Sequence, residues 1–379
     1  MSRAPAARLH DLSAVVADRH VIVCTGPGGV GKTTAAACLA LGAAGRGRRT
    51  IVLTIDPARR LAQSLGLGRL DNRPRPVAGV DGLDAMMLDM KRTFDEVIDR
   101  HASEPVRAQR IKTNRFYRQM SSSLAGTQEY MAMEKLYDLH STGGYDCIVI
   151  DTPPTRNALD FLDAPRRLTD FLEGRFLKMF LAPGMVAGKL ATRAAGFGAG
   201  LFMRAASRIT GQAVLGDLAE FFQSFEGMYD GFKDRAQAVY RLLQQPTSAF
   251  VVVASAEDPA LREARFFLQR LESDGMPTAG LVVNRVTPPP SACLAAVTPK
   301  AARAAAATLD EHGPEGRAAA ALLRLHVDRV EVAKRERRAI AAALQGIDPR
   351  ALVQVPLMAT DVYDLPGLTA IGRHLYPQL

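Results

Sequence analysis

Lys32, Thr33 and Thr34 close the run Gly26-Pro27-Gly28-Gly29-Val30-Gly31, which follows directly on the apolar stretch Val21 to Cys24. A glycine-rich turn between a buried strand and a helix presents consecutive backbone N–H groups to an anion. Lys32 then reaches β- and γ-phosphates and the Thr33 hydroxyl is placed for Mg²⁺, so the run fits GxxxxGK[ST] in full. The same residues contain GxGxxG, and Asp56 lies about 20 residues or more beyond it, where a dinucleotide site carries its ribose-binding acid. Lys-Thr-Thr favours the triphosphate, because a dinucleotide needs neither a lysine nor a hydroxyl at the helix start. A phosphate loop also needs acids at neighbouring strand ends to organise magnesium and water. Two stand in place: Asp56 in Thr54-Ile55-Asp56-Pro57-Ala58-Arg59-Arg60, and Asp151 in Asp151-Thr152-Pro153-Pro154-Thr155-Arg156. Either acid alone is equally well read as a helix N-cap.

The elements that must position these residues alternate along the chain. Strand-like runs fall at Val21 to Cys24, Thr50 to Thr54, Gly82 to Leu88, Tyr145 to Ile150, Ala249 to Ala254, Gly280 to Val283 and Ala351 to Val355. Helix-like segments between them predict an α/β fold, a mostly parallel sheet flanked by helices on both faces. Near-continuous apolar runs such as Cys147-Ile148-Val149-Ile150 require burial on both sides. Residues 1–379 are expected to form a single domain with helical insertions at 91–139 and 165–245 forming a subdomain. An alanine-rich insertion at 288–345 is expected as a helical hairpin broken around Gly313-Pro314. Within the first insertion, Phe94, Val97, Tyr130, Met133 and Leu136 recur at helical spacing and read as core. The cluster Lys334-Arg335-Glu336-Arg337-Arg338 reads as a solvated helix face.

Bulk properties narrow the class. No apolar run reaches the roughly 20 residues of a membrane span, and Met1 to Arg19 lacks the apolar centre of a signal peptide, which implies a cytoplasmic protein. The four cysteines, Cys24, Cys38, Cys147 and Cys293, have no CxxC spacing and imply neither disulfide nor structural metal. The net charge of +9 is spread over helices without an aromatic-interleaved basic stripe, so nucleic acid is not expected as a partner.

The phosphate loop, DPARRLAQSLG, DTPPTRNALDFL, VVNR and VPLMATDV, in this order, resemble the ArsA family, the arsenite-pump and tail-anchored-protein-targeting ATPases. This resemblance, which covers most of the chain, places it in the signal-recognition and MinD class of P-loop proteins. It implies ATP and Mg²⁺ as ligands and ATP hydrolysis as the reaction. By matching position, Gly28, Gly29, Val30, Gly31, Lys32, Thr33 and Thr34 hold phosphate, and Asp56 orients the hydrolytic water. Thr33 binds magnesium directly and Asp151, with Asp56, binds it through water. Asn284, with Arg285 beside it, matches the adenine reader, and Pro356 and Leu357 open the loop to Asp361 that covers the base. The resemblance also implies a dimer, either of this chain or with a paralogous ATPase.

Three departures stand out. The family's signature lysine is replaced by Pro27, so Arg156, or else Arg59 or Arg60, is the expected source of the missing charge; Arg156 reads equally well as an arginine ion-paired at the switch surface. No CxxC and no cysteine triad is present, which leaves arsenite without support. From Gly174 through Gly216 there is no acid, while Arg175, Lys178, Lys189, Arg193, Arg204 and Arg208 stand among Phe176, Phe180, Phe197 and Phe202. Gly184, Gly188, Gly196, Gly198 and Gly200 within it disfavour an ordinary buried helix, at about 1 kcal/mol each. The segment reads as a nucleotide-controlled lid for a hydrophobic client protein or a membrane surface, or else as a loosely packed helical subdomain or a dimer contact. A small-molecule P-loop ligase, or a nucleotide-binding assembly subunit of low turnover, is the alternative.

Overall fold

In the computed structural model, residues 11–115, 117–118, 127–153, 228–290, 294–347 and 349–377 are described. Eight strands form one sheet: β1 (Val21–Thr25), β2 (Thr50–Thr54), β3 (Arg75–Pro76), β4 (Leu83–Met87), β5 (Cys147–Asp151), β6 (Ser248–Ser255), β7 (Thr278–Val286) and β8 (Leu352–Pro356). Their order is β3-β4-β2-β5-β1-β6-β7-β8, and every pairing is parallel except β3 with β4. The seven expected strands are all present. The two-residue β3 was missed because Arg75 and Pro76 are exposed and carry no alternating apolar pattern.

The central strands β1, β2 and β5 are buried at every residue, as their uninterrupted apolar runs require. Two apolar clusters cover the two faces. One is built on α2 (Lys32–Ala44) with α3 (Arg60–Ser64) and α11 (Leu365–Leu375). Alanines at positions 35, 36, 37, 40, 43 and 44 let α2 lie close to the sheet, and Tyr376 seals its far side by donating to the Cys38 carbonyl at 2.8 Å. The other cluster joins α4 (Met90–His101), α5 (Pro105–Thr113), α6 (Thr127–Ser141), α7 (Tyr229–Gln244) and α8 (Asp258–Ser273). Phe94, Val97, Tyr130, Met133 and Leu136 are buried in it, as helical spacing predicts. Between α6 and α7, Glu134 takes two bonds from Arg235 Nε, at 2.8 and 3.1 Å, and the Arg235 guanidinium lies over Phe232.

Beyond the sheet edge, α9 (Pro299–Leu309) and α10 (Gly313–Ala343) pack as a pair that reverses at Gly313, whose φ of 68° suits glycine. Among the described residues no helix is long and apolar enough to cross a membrane. Cys24, Cys38 and Cys147 are buried free thiols, and Cys293 lies outside the described residues.

Candidate functional site

The site forms where the carboxyl ends of β1, β2, β5, β7 and β8 meet, with β1 between β5 and β6, so that the chain leaves adjacent strands toward opposite faces. A parallel sheet opens a crevice at such a point. Here it is a cleft of about 710 Å³ lined by Gly29, Gly31 to Thr34, Asp56, Thr152, Asn284, Arg285 and the segment from Pro356 to Tyr363.

The loop between β1 and α2 depends on its glycines. Gly26 has φ of 144° and a Cβ there would sit 2.0 Å from the Val253 carbonyl oxygen. Gly31 has φ of 99°, and its Cβ would meet Asn284 Nδ2 at 2.3 Å. Neither position accepts a side chain. Lys32 Nζ donates to the Pro27 carbonyl at 2.8 Å, so the ammonium is folded back over the loop that it closes. Burial lowers the Lys32 pKa, with Asp151, Asp56 and Glu263 opposing that effect.

Asp151 ends β5 with no exposure to solvent. Its Oδ2 accepts from Thr33 Oγ1 at 2.8 Å and Thr54 Oγ1 at 2.9 Å, while Oδ1 is buried without any hydrogen-bond partner. Burial pushes the Asp151 carboxyl up to about 6, against the pull of the Thr33 and Thr54 hydroxyls and of Lys32. A buried carboxylate with a free oxygen, beside a threonine hydroxyl, is a hard-oxygen donor set that fits Mg²⁺. Among the described residues no group of three or more His, Cys, Asp or Glu side chains gathers. Asp56 also reaches the cleft; its Oδ1 accepts from the Ala58 N–H at 3.0 Å, which shapes the turn into α3.

The two acids therefore differ in what surrounds them. Asp56 is half-buried at the cleft wall, and Asp151 is sealed at its floor. The N-cap alternative fails for Asp56: no side-chain cap bond reaches α3, whose N-cap position is Arg59.

Asn284 Nδ2 donates to the Val30 carbonyl at 2.8 Å, which ties the end of β7 to the glycine loop. Leu357 N–H donates to the Val286 carbonyl at 2.9 Å, and Leu357 and Tyr363 are 56 % and 67 % exposed. Together they leave an open apolar wall beside Asn284. Across the cleft stand Arg60, Gln63 and Ser64 of α3; Arg59 is not among the lining residues. Arg60 was among the candidate charges; Gln63 and Ser64 were missed because only the folding of α3 against α2 brings them to the cleft. Thr54 was missed as a functional residue because nothing in its strand context separates it from an ordinary buried threonine.

In the cluster on α10, Lys334, Arg335, Arg337 and Arg338 are exposed, as a solvated face requires, and Glu336 alone departs from it. Glu336 turns inward, accepting from Thr287 N–H at 2.8 Å and Thr287 Oγ1 at 2.9 Å, while Arg335 and Arg338 border a second groove along the glycine loop. Periodicity could not reveal this, because the neighbour of that face is the β7 end, distant in sequence. Arg156 and the segment 174–216 lie outside the described residues.

The family model for the anion-transporting ATPases matches residues 19–304, three quarters of the chain and all of the glycine loop, Asp56, Asp151 and Asn284. The chain belongs to the anion-transporting ATPase family. It is similar to ATPase GET3 of Malassezia globosa, 26 % identical over 269 residues that cover 71 % of this chain and 73 % of that one. ATPase ASNA1 homolog 1 of Paramecium tetraurelia is 25 % identical over 272 residues, covering 71 % and 75 %. A shorter match, 32 % over 168 residues and covering 43 % and 40 %, joins it to the uncharacterized protein SCO2128 of Streptomyces coelicolor. This anion-transporting ATPase family member is an ATP hydrolase built on a mostly parallel sheet, as the motifs led one to expect.

Proposed function

We propose that the chain hydrolyses ATP in a Mg²⁺-dependent reaction whose nucleotide state switches the binding of a hydrophobic client protein or a membrane surface. The observation that carries this reading is the buried Asp151, bonded to Thr33 on one oxygen and unbonded on the other. Thr33 would hold Mg²⁺, with Asp151 and Asp56 supporting it through water. When bound, the ion screens the phosphate charge and polarises the γ-phosphoryl group.

The remaining steps belong to the chain's own residues. Lys32 leaves the Pro27 carbonyl for the β- and γ-phosphates, and the N–H groups of Gly28 to Thr34 other than those turned into the helix hold phosphate oxygens. Asp56, with one oxygen uncommitted, orients the attacking water. Asn284 reads adenine while the segment from Pro356 to Asp361 covers the base on its apolar side.

Asp151 leads through Thr152, which donates to the Cys24 carbonyl at 2.8 Å, toward the segment that contains 174–216. A change at the γ-phosphate is thus passed through the strand end to the acid-free, apolar stretch, by the same physics that orders switch segments in other P-loop proteins. The reading includes a dimer, of two copies or with a paralogous ATPase.

Turnover assays test it. Chelation of Mg²⁺ is expected to abolish phosphate release, and an apolar helical peptide or anionic liposomes are expected to change the rate at least twofold. Rates indifferent to both additions, with a metabolite phosphorylated instead, would favour a ligase. Native mass measurement of the complex from cells is expected to give about twice 40.8 kDa or more with ATP present.

A further inference from the structure

Arg285 is, among the described residues, the one non-glycine position in the left-handed region, with φ of 59°. It sits where the β7–β8 register shifts between Val283 and Val286, so a bulge and a disfavoured backbone coincide on a single arginine. A glycine would take this conformation without strain. Strain held beside a ligand cleft points to a use for the side chain that occupies it.

The side chain is aimed at the glycine loop. Arg285 Nη1 lies 3.4 Å from the Gly29 carbonyl, a long and weak hydrogen bond, and the residue borders both the nucleotide cleft and the second groove, of about 890 Å³. No carboxylate pairs with it among the described residues: Glu336 is committed to Thr287, and Glu257, Asp258 and Glu263 line the groove without an ion pair to Arg285. Arg335 and Arg338 border the same groove and add like charge from that side. The guanidinium is thus exposed, held in place by its backbone and only weakly engaged. The loop beneath it has Pro27, which contributes neither an N–H nor a charge.

We propose that Arg285 binds the terminal phosphates of the nucleotide in cis, moving from the Gly29 carbonyl onto phosphate oxygen opposite Lys32. This inference rests on the nucleotide reading given above. A guanidinium on the γ-phosphate and an ammonium bridging β and γ would clamp the end of the triphosphate, and a bidentate arginine–phosphate contact is the stronger for its geometry. No bond to Arg285 is made or broken in the reaction; its contribution is charge and position.

The test compares Arg285→Gly, Arg285→Asn and Arg285→Lys with the unmodified full-length chain, measuring ATP and ADP affinity by calorimetry, turnover, and the nucleotide-free thermal midpoint. Glycine and asparagine both accept the left-handed backbone, so the midpoint is expected to stay level or rise. ATP affinity is expected to fall at least tenfold and ADP affinity less than threefold, with Arg285→Lys recovering part of the loss. ATP binding within twofold of the unmodified chain in both Arg285→Gly and Arg285→Asn would overturn the proposal. Equal losses for ATP and ADP would overturn it too, by placing the side chain on the base or ribose. A chain that binds neither nucleotide, or a Lys32→Ala chain that binds both unchanged, would instead overturn the nucleotide reading and this inference with it.

Discussion

At the residue scale, Asp151 is held in a state that the nucleotide-free protein does not favour. Its folded pKa, about 6, lies above the ordinary value of 3.8, so the fold prefers the proton more than the unfolded chain does. The stability linked to that proton is full below about pH 4 and is lost as pH rises through about 6. In the presence of a chelator, Asp151→Asn is therefore expected to raise the stability at pH 7.5 by about 1–3 kcal/mol while abolishing turnover. The gain should vanish when the urea melts are repeated near pH 4; a gain independent of pH would show that charge burial is not its source. Gly31→Ala has the opposite character. Its Cβ must displace Asn284 from Val30, and both ATP binding and folding stability are expected to drop, the latter by about 1–3 kcal/mol. Calorimetry and thermal melts on the same sample check both.

At the element scale, α6 and α7 are joined by an ion pair that sits between the two stretches of chain flanking segment 154–227. Glu134 and Arg235 have 1 % and 9 % of their side chains exposed, and burial raises the Glu134 pKa even though Arg235 and the Tyr130 hydroxyl oppose it. Removing one partner leaves a buried charge alone. Glu134→Gln or Arg235→Met alone is expected to cost about 3–5 kcal/mol in urea unfolding, whereas Glu134→Leu with Arg235→Met together should cost far less. Additive losses in the double variant would mean that the two helices do not depend on this pair. The α9–α10 pair illustrates a related point: alanine content and Gly313 made it readable as a hairpin, but the inward turn of Glu336 onto Thr287 was readable from neither.

At the scale of the whole molecule, the two apolar clusters are the two faces of one sheet, and the glycine loop rises from β1, one of the central strands that both share. Nucleotide bound at that loop stabilises the sheet and its helices together. ATP at 100 times its Kd should raise the unfolding free energy by about 2.7 kcal/mol, in a shift that Lys32→Ala removes. Differential scanning fluorimetry over a nucleotide series measures it, and a midpoint that ignores ATP would sever the cleft from the fold's stability.

The sequence by itself determined the sheet and the glycine loop with its motif. Central strands such as Cys147 to Asp151 must be buried along their length, and GxxxxGK[ST] is complete within eight adjacent residues, so both are local properties. Asp56, Asp151 and Asn284 could be expected at one cleft because each lies at or within two residues of a strand's carboxyl end, and parallel strands bring those ends to one edge. What only the tertiary structure decided are the meetings of residues far apart in the chain. Thr33, Thr54 and Asp151 converge on one buried carboxylate oxygen, and Asn284 bonds Val30 across 254 positions. The bulge that throws Arg285 over the loop likewise depends on how β8 registers against β7, and register is set by packing, which no stretch of local sequence encodes alone.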